Sequence, residues 1–95
     1  MTYDEINNLS LPQLMDEADV IWSTLNFHLT LILKLQDNGV GFSACNIITD
    51  GEWSYEFVLY DPVGGPLADT YRANGDTLEI AMLRAYAMWK YKARP

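Results

Sequence analysis

Apolar residues recur along this chain with two different periods, and the changes of period mark its elements. Leu11, Leu14, Met15, Ala18, Ile21, Trp22 and Leu25 follow one another at steps of three and four, the stripe of an amphipathic helix. Ser10 and Gln13 form a capping-box pattern ahead of it, and Pro12 is tolerated in the first turn because its missing N–H would be unpaired there. A helix is therefore predicted from Ser10 to Leu25, after a polar leader, Met1 to Leu9, that has room for one helical turn. Phe27, Leu29, Leu31, Leu33 and Leu35 then alternate with His28, Thr30, Ile32 and Lys34, the period of a strand with one wet face. Asp37-Asn38-Gly39 supplies a hairpin turn, a second strand is expected from Phe42 to Ile48, and Asp50-Gly51 makes a second tight turn. The third strand, Trp53 to Tyr60, alternates again. Asp61 to Pro66 is a loop holding two prolines, and Leu67 to Arg72 reads as a short fourth strand that Ala73-Asn74-Gly75 ends at once.

The last pattern, Asp76 to Lys92, is helical with apolar residues on two sides. Leu78, Ala81, Met82, Ala85, Met88 and Trp89 form one stripe; Ile80, Leu83, Ala87 and Tyr91 form the other. Such a helix must be covered twice, by the sheet and by a second helix or a partner subunit. Asp76 is the expected N-cap, with Glu79 three residues on, and Lys90, Lys92 and Arg94 complement the negative end of the helix dipole. The predicted fold is a single α+β domain over residues 1–95. It has two layers: an N-terminal helix, an antiparallel meander of three to four strands, and a C-terminal helix, with the helices on one face of the sheet.

Composition agrees with an ordered domain: 49% hydrophobic and 13% aromatic residues over 95 positions are enough to bury roughly 60–70% of the unfolded surface. One cysteine, Cys45, excludes an intrachain disulfide and a cysteine zinc cage. No charged-then-apolar leader opens the chain, and no apolar run approaches the roughly 18 residues of a membrane span. A cytoplasmic protein without membrane contact is expected. Charge changes the picture more. Residues 1–83 hold all 13 acidic residues against Lys34 and Arg72, a net charge of −11, whereas residues 84–95 hold Arg84, Lys90, Lys92 and Arg94 and no acid. The body repels phosphate backbones, so direct nucleic-acid binding is not expected and a basic partner is. The competing reading is that the acidic surface serves solubility alone.

Nothing in the sequence announces catalysis. His28, the only histidine, stands on the predicted polar strand face without a serine or cysteine motif, and reads as a surface or structural residue. Cys45 lies mid-strand with no basic neighbour in sequence and reads as packing. The carboxylates lack the spacing of a calcium loop, and Gly64-Gly65 lacks the lysine of a phosphate loop. No enzyme activity, cofactor or metal site is expected. Trp22 and Trp89 belong to core stripes, while Trp53, at the mouth of a turn, is either core or an exposed anchor.

Trp53 and Tyr55 after an Asp-Gly turn, followed by Gly75-Asp76-Thr77 leading into Ala81-Met82-Leu83-Arg84-Ala85-Tyr86, resemble the phage ABA-sandwich domains of small phage and prophage proteins. The resemblance covers roughly Gly51 to Lys92, with Leu78 where that family has a proline. It implies a phage origin and helices around a sheet, and it carries no catalytic residues. Together with the charge, it leads to one expectation: a phage-encoded inhibitor that acts in the host cytoplasm and occupies the basic surface of a host protein or nucleoprotein complex, in the manner of anti-CRISPR or anti-restriction proteins. The residues expected to meet the partner are Asp16, Glu17 and Asp19 on the first helix, and Asp50, Glu52, Trp53 and Glu56 on the hairpin. The alternative is a structural or assembly protein in which the second stripe of the final helix is a homodimer interface.

Overall fold

A computed structural model describes residues 1–20, 27–62 and 69–95. The chain folds as an α+β domain with the order α1 (Tyr3–Asn7), α2 (Leu11–Glu17), α3 (Phe27–Asp37), β1 (Gly41–Thr49), β2 (Glu52–Asp61), β3 (Asp69–Gly75) and α4 (Leu78–Tyr91). The strands form one antiparallel meander, β1-β2-β3. Gly41↔Tyr60 through Thr49↔Glu52 pair without a break, and Tyr55↔Gly75 through Asp61↔Asp69 follow on the other side.

Two strand assignments differ from the sequence reading. Residues 27–35 are helical, not a strand, and the short fourth strand forms as β3 but runs on through Ala73, Asn74 and Gly75, which were expected to end it. The alternating leucines at 29, 31, 33 and 35 fit either period. As a helix, Leu31 and Leu35 fall one turn apart and are buried, while Leu29 and Leu33 fall one turn apart and are exposed. Leucine also favours helix over strand. Asp37-Asn38-Gly39 therefore ends a helix instead of turning a hairpin: Gly39 takes φ 71° and Val40 N–H returns to the Leu35 carbonyl at 2.9 Å, the work of a glycine C-cap.

The first helix is shorter than its stripe. The Ser10–Gln13 capping box forms, but α2 stops where Asp19 enters the left-handed region at φ 55° and Val20 N–H folds back to the Met15 carbonyl. The remainder of the expected helix, including Trp22, lies outside the described residues. The opening segment is α1, capped by Thr2 and Glu5, with Ile6 fully buried. The last helix starts one residue later than expected: Thr77, not Asp76, is the N-cap and accepts from Ile80 N–H.

Register decides which side chains meet α4. Phe57, Leu59, Tyr71 and Ala73 share one sheet face and are buried against it. Both stripes of α4 are used within the chain: Ala81, Met82, Ala85 and Met88 on one, Leu83 and Ala87 on the other, all buried. The helix packs on β2 and β3, and α1 and α2 pack on the helix. Of the second stripe, Leu83 and Ala87 are buried within the chain, Ile80 is half-buried and Tyr91 is exposed. A helix is about 10–12 Å wide and strands lie about 4.8 Å apart, so one helix covers two strands. The third, β1, lies beyond it, and Phe42, Ala44, Asn46 and Ile48 are exposed on the same face that is buried in β2 and β3.

Candidate functional site

The basic C-terminal segment is where the folded chain spends most of its cations. Lys90 reaches the Glu17 carbonyl at 2.8 Å and its carboxylate at 3.3 Å, and the Tyr91 hydroxyl donates to the same carboxylate. The Tyr91 bond, joined by Lys90 against the opposing effect of burial, holds the Glu17 carboxyl below its usual range. Burial opposes the charge of Lys90, yet the Glu17 carboxylate outweighs it and raises the lysine above its usual value. Helix α2 has no basic residue in its own last turn. Lys90, and Lys34 with its 2.6 Å bond to the Ala18 carbonyl, bring that charge from other helices to the carbonyls that a helix end leaves unpaired.

On the other side of α4, Asp61 and Asp69 face each other across β2 and β3, an arrangement of like charges that costs stability unless cations intervene. They do. Lys92 reaches Asp61 at 3.1 Å and Arg94 reaches Asp69 at 3.3 Å, while Trp89 Nε1 donates to Asp61 at 2.8 Å. Asp61 is only 5% exposed. Trp89 is thus half-buried against the core with its polar edge satisfied, as a tryptophan of an inner stripe requires.

These pairs sort the seven residues expected to meet a partner. Glu17 is committed to Lys90 and Tyr91, and Glu56 pairs with Arg72 at 3.6 Å on the open sheet face, with Cys45 beside it. Asp16 and Asp19 are exposed on and just after α2. Asp50, Glu52 and Trp53 stand together at the tip of the β1–β2 hairpin, where Asp50 at φ 52° and Gly51 at φ 81° make the two-residue turn. Among the described residues, Asp16, Asp19, Asp50 and Glu52 have no ion-pair partner. Trp53 is 61% exposed and so is not core. Its cross-strand neighbour, Ile48, is 58% exposed. Ile48 was not singled out from the sequence, although a two-residue Asp-Gly turn fixes the pairing Thr49↔Glu52 and hence Ile48↔Trp53.

Two other sequence readings are settled by geometry. Cys45 is exposed on the sheet face away from α4, not packed in a core. His28 lies on α3, where its Nε2 is 3.1 Å from Glu79 Oε1. The Glu79 carboxyl is held below its usual range, first by its own backbone N–H and then by His28 and Thr77, against burial. Both partners are partly exposed, and the pair ties α3 to the start of α4. Among the described residues, no cluster of three metal-ligating side chains occurs and no helix is long and apolar enough to cross a membrane. No protein-family model matches this chain, and no curated protein or solved structure does either.

Proposed function

We propose that this chain is a non-catalytic binding protein that docks on a basic surface of a nucleic-acid-handling protein or nucleoprotein complex through the tip of its β1–β2 hairpin. The observation that carries the reading is the exposed Trp53–Ile48 pair flanked by Asp50 and Glu52. A projecting aromatic residue beside an aliphatic one is the kind of anchor that fills a partner's pocket, and unpaired carboxylates around it steer and orient a cationic partner. Asp16 and Asp19 form a second acidic patch. A phage-encoded inhibitor of a restriction or CRISPR complex would use this arrangement, with the carboxylates standing in for nucleic-acid phosphates. The test is retention of a bacterial partner on the tagged protein at low and high salt, alongside phage plating on a restricting host. Trp53→Ala and the double variant Asp50→Lys, Glu52→Lys are expected to lose both retention and protection, and high salt to release the partner. Undiminished protection with both variants would overturn the reading.

A second reading rests on β1 itself. It is the one strand of the three without a charged residue, its nine pairs with β2 contain no bulge or proline, and among the described residues its outer edge meets no strand. Edge strands are ordinarily blocked by such devices, and a neutral edge pairs with its own copy without opposing like charges. Self-association would then persist or strengthen as salt rises, since the acidic bodies repel, whereas binding to a basic partner would weaken. Light scattering at two salt concentrations separates the two, and a monomer at both would exclude this reading.

A further inference from the structure

Half of the chain's six basic residues, Arg72, Arg84 and Arg94, line one open cleft of about 720 Å³ beside the β3 edge. No acidic residue contributes to that lining; the other contributors include Asn7, Asn74 and Tyr3. In a chain with 13 acidic residues this is a local inversion of charge, built from α1, β3, α4 and the C-terminal segment together. Arg72 and Arg94 each touch one carboxylate, Glu56 and Asp69, through a single contact at exposed positions. Arg84 touches none among the described residues. Its Nη1 donates to the Asn74 carbonyl at 2.8 Å, which fixes the guanidinium, and its Nε is buried without an acceptor. Among the described residues, Arg84 is thus the guanidinium of the three without a carboxylate contact.

We propose that this cleft binds a small phosphate-bearing ligand of about nucleotide size, with Arg84 and Arg72 on the phosphates and Tyr3 against the remainder. The donors are of the right kind: guanidinium groups grip phosphate oxygens through paired N–H bonds, and the asparagine amides add neutral ones. The size decides against a bare ion. A site of about 720 Å³ falls within the range of roughly 300–1,000 Å³ that encloses small organic ligands, far more than one phosphate fills. The negative body of the protein does not cancel the attraction, because physiological salt screens exposed charges beyond about 8 Å. This site is separate from the hairpin tip and stands whether or not the hairpin binds a partner.

Calorimetric titration of the full-length protein with ADP, inorganic phosphate and adenosine tests it. ADP is expected to bind most tightly, phosphate more weakly, and adenosine at least about tenfold more weakly than ADP, the loss of its charge-assisted bonds. Arg84→Lys keeps a donor for the Asn74 carbonyl and so preserves the fold while losing the planar fork. Arg72→Gln changes a side chain that is mostly exposed. Each is expected to weaken ADP by roughly tenfold. Absence of ADP binding up to millimolar concentration would overturn the proposal, as would adenosine binding as tightly as ADP. Unchanged affinity in both variants would overturn it too.

Discussion

At the β3 edge of the sheet, Arg84 holds the Asn74 carbonyl, Arg94 reaches Asp69, and α4 packs on the strand. At the β1 edge, nine residues without a charge run from Gly41 to Thr49, eight of them exposed, on both faces. One face of the sheet is thus covered by α4 on the β3 side and open on the β1 side. Width accounts for the difference: α4 reaches across two strands and no further. Closing an edge suppresses unwanted pairing. On the proposed reading, the open edge next to a hairpin tip that displays tryptophan and isoleucine is the side that would meet a partner.

Glycine substitutions give the largest expected contrast between the two sides. A Cβ on Gly75 would lie 2.8 Å from Ala81 N and 3.0 Å from Ile80 Cγ2, so β3 can pass this close to the start of α4 only without a side chain. Gly75→Ala is expected to cost about 2–3 kcal/mol, the upper part of the range for forcing an atom into a packed site. Gly41, at the start of β1, would place its Cβ no closer than 3.9 Å to Tyr60 Cβ. Gly41→Ala is expected to be neutral or to stabilise by up to about 1 kcal/mol, because alanine restricts the unfolded chain. Urea unfolding midpoints measure both. Comparable losses at the two positions would refute the contrast.

The legible parts of the fold are those fixed locally. The Ser10–Gln13 box, the Asp50-Gly51 turn, the alternation of Trp53 to Tyr60 and the double stripe of α4 all specify their own conformation within a few residues. What was hidden depends on tertiary context. The leucines from 29 to 35 satisfy two periods, and only burial of Leu31 and Leu35 against the core chooses the helix. Asp19 ends α2 early by adopting a left-handed backbone, which no stripe reveals. At the site, the exposure of Trp53 followed from where α4 stops, and the loss of Glu17 as a free carboxylate followed from Lys90 and Tyr91, more than 70 positions away in sequence. The arginine cleft is likewise invisible in sequence, since Arg72, Arg84 and Arg94 come from three separate segments.

Acid offers a smaller and selective way to loosen the closed side. Glu17 titrates below its ordinary value of 4.5 because of Tyr91 and Lys90. A carboxyl depressed in the folded state stabilises fully above its unfolded pKa, and the contribution disappears as pH falls through the folded value. Glu79 acts in the same direction. Wild-type protein is therefore expected to lose thermal stability below about pH 4.5 more steeply than Glu17→Gln. The variant starts less stable at pH 7 and converges with the wild type in acid. Parallel curves would show that the bridge from α2 to α4 carries no net stability. The β1 strand holds no titrating carboxylate, so its pairing with β2 contributes little to the difference.

The smallest expected effect on stability falls on the open side, and it is the most informative about use. Ile48→Lys places a charge on β1 where the native side chain is mostly in water, so folding stability is expected to change by no more than about 0.5 kcal/mol. A lysine pointing from an edge strand nevertheless opposes strand pairing and disrupts the apolar surface beside Trp53. If β1 pairs with a second copy, the variant is expected to sediment as a monomer at a concentration where the wild type self-associates. If the hairpin tip meets a basic partner, a cation next to Asp50 and Glu52 is expected to release it. An unfolding midpoint close to wild type with either of these losses would show that the open edge is kept for contact with other molecules. A large fall in the midpoint would instead mean that Ile48 packs into the domain in solution, and the contrast between the two edges would fail at its exposed end.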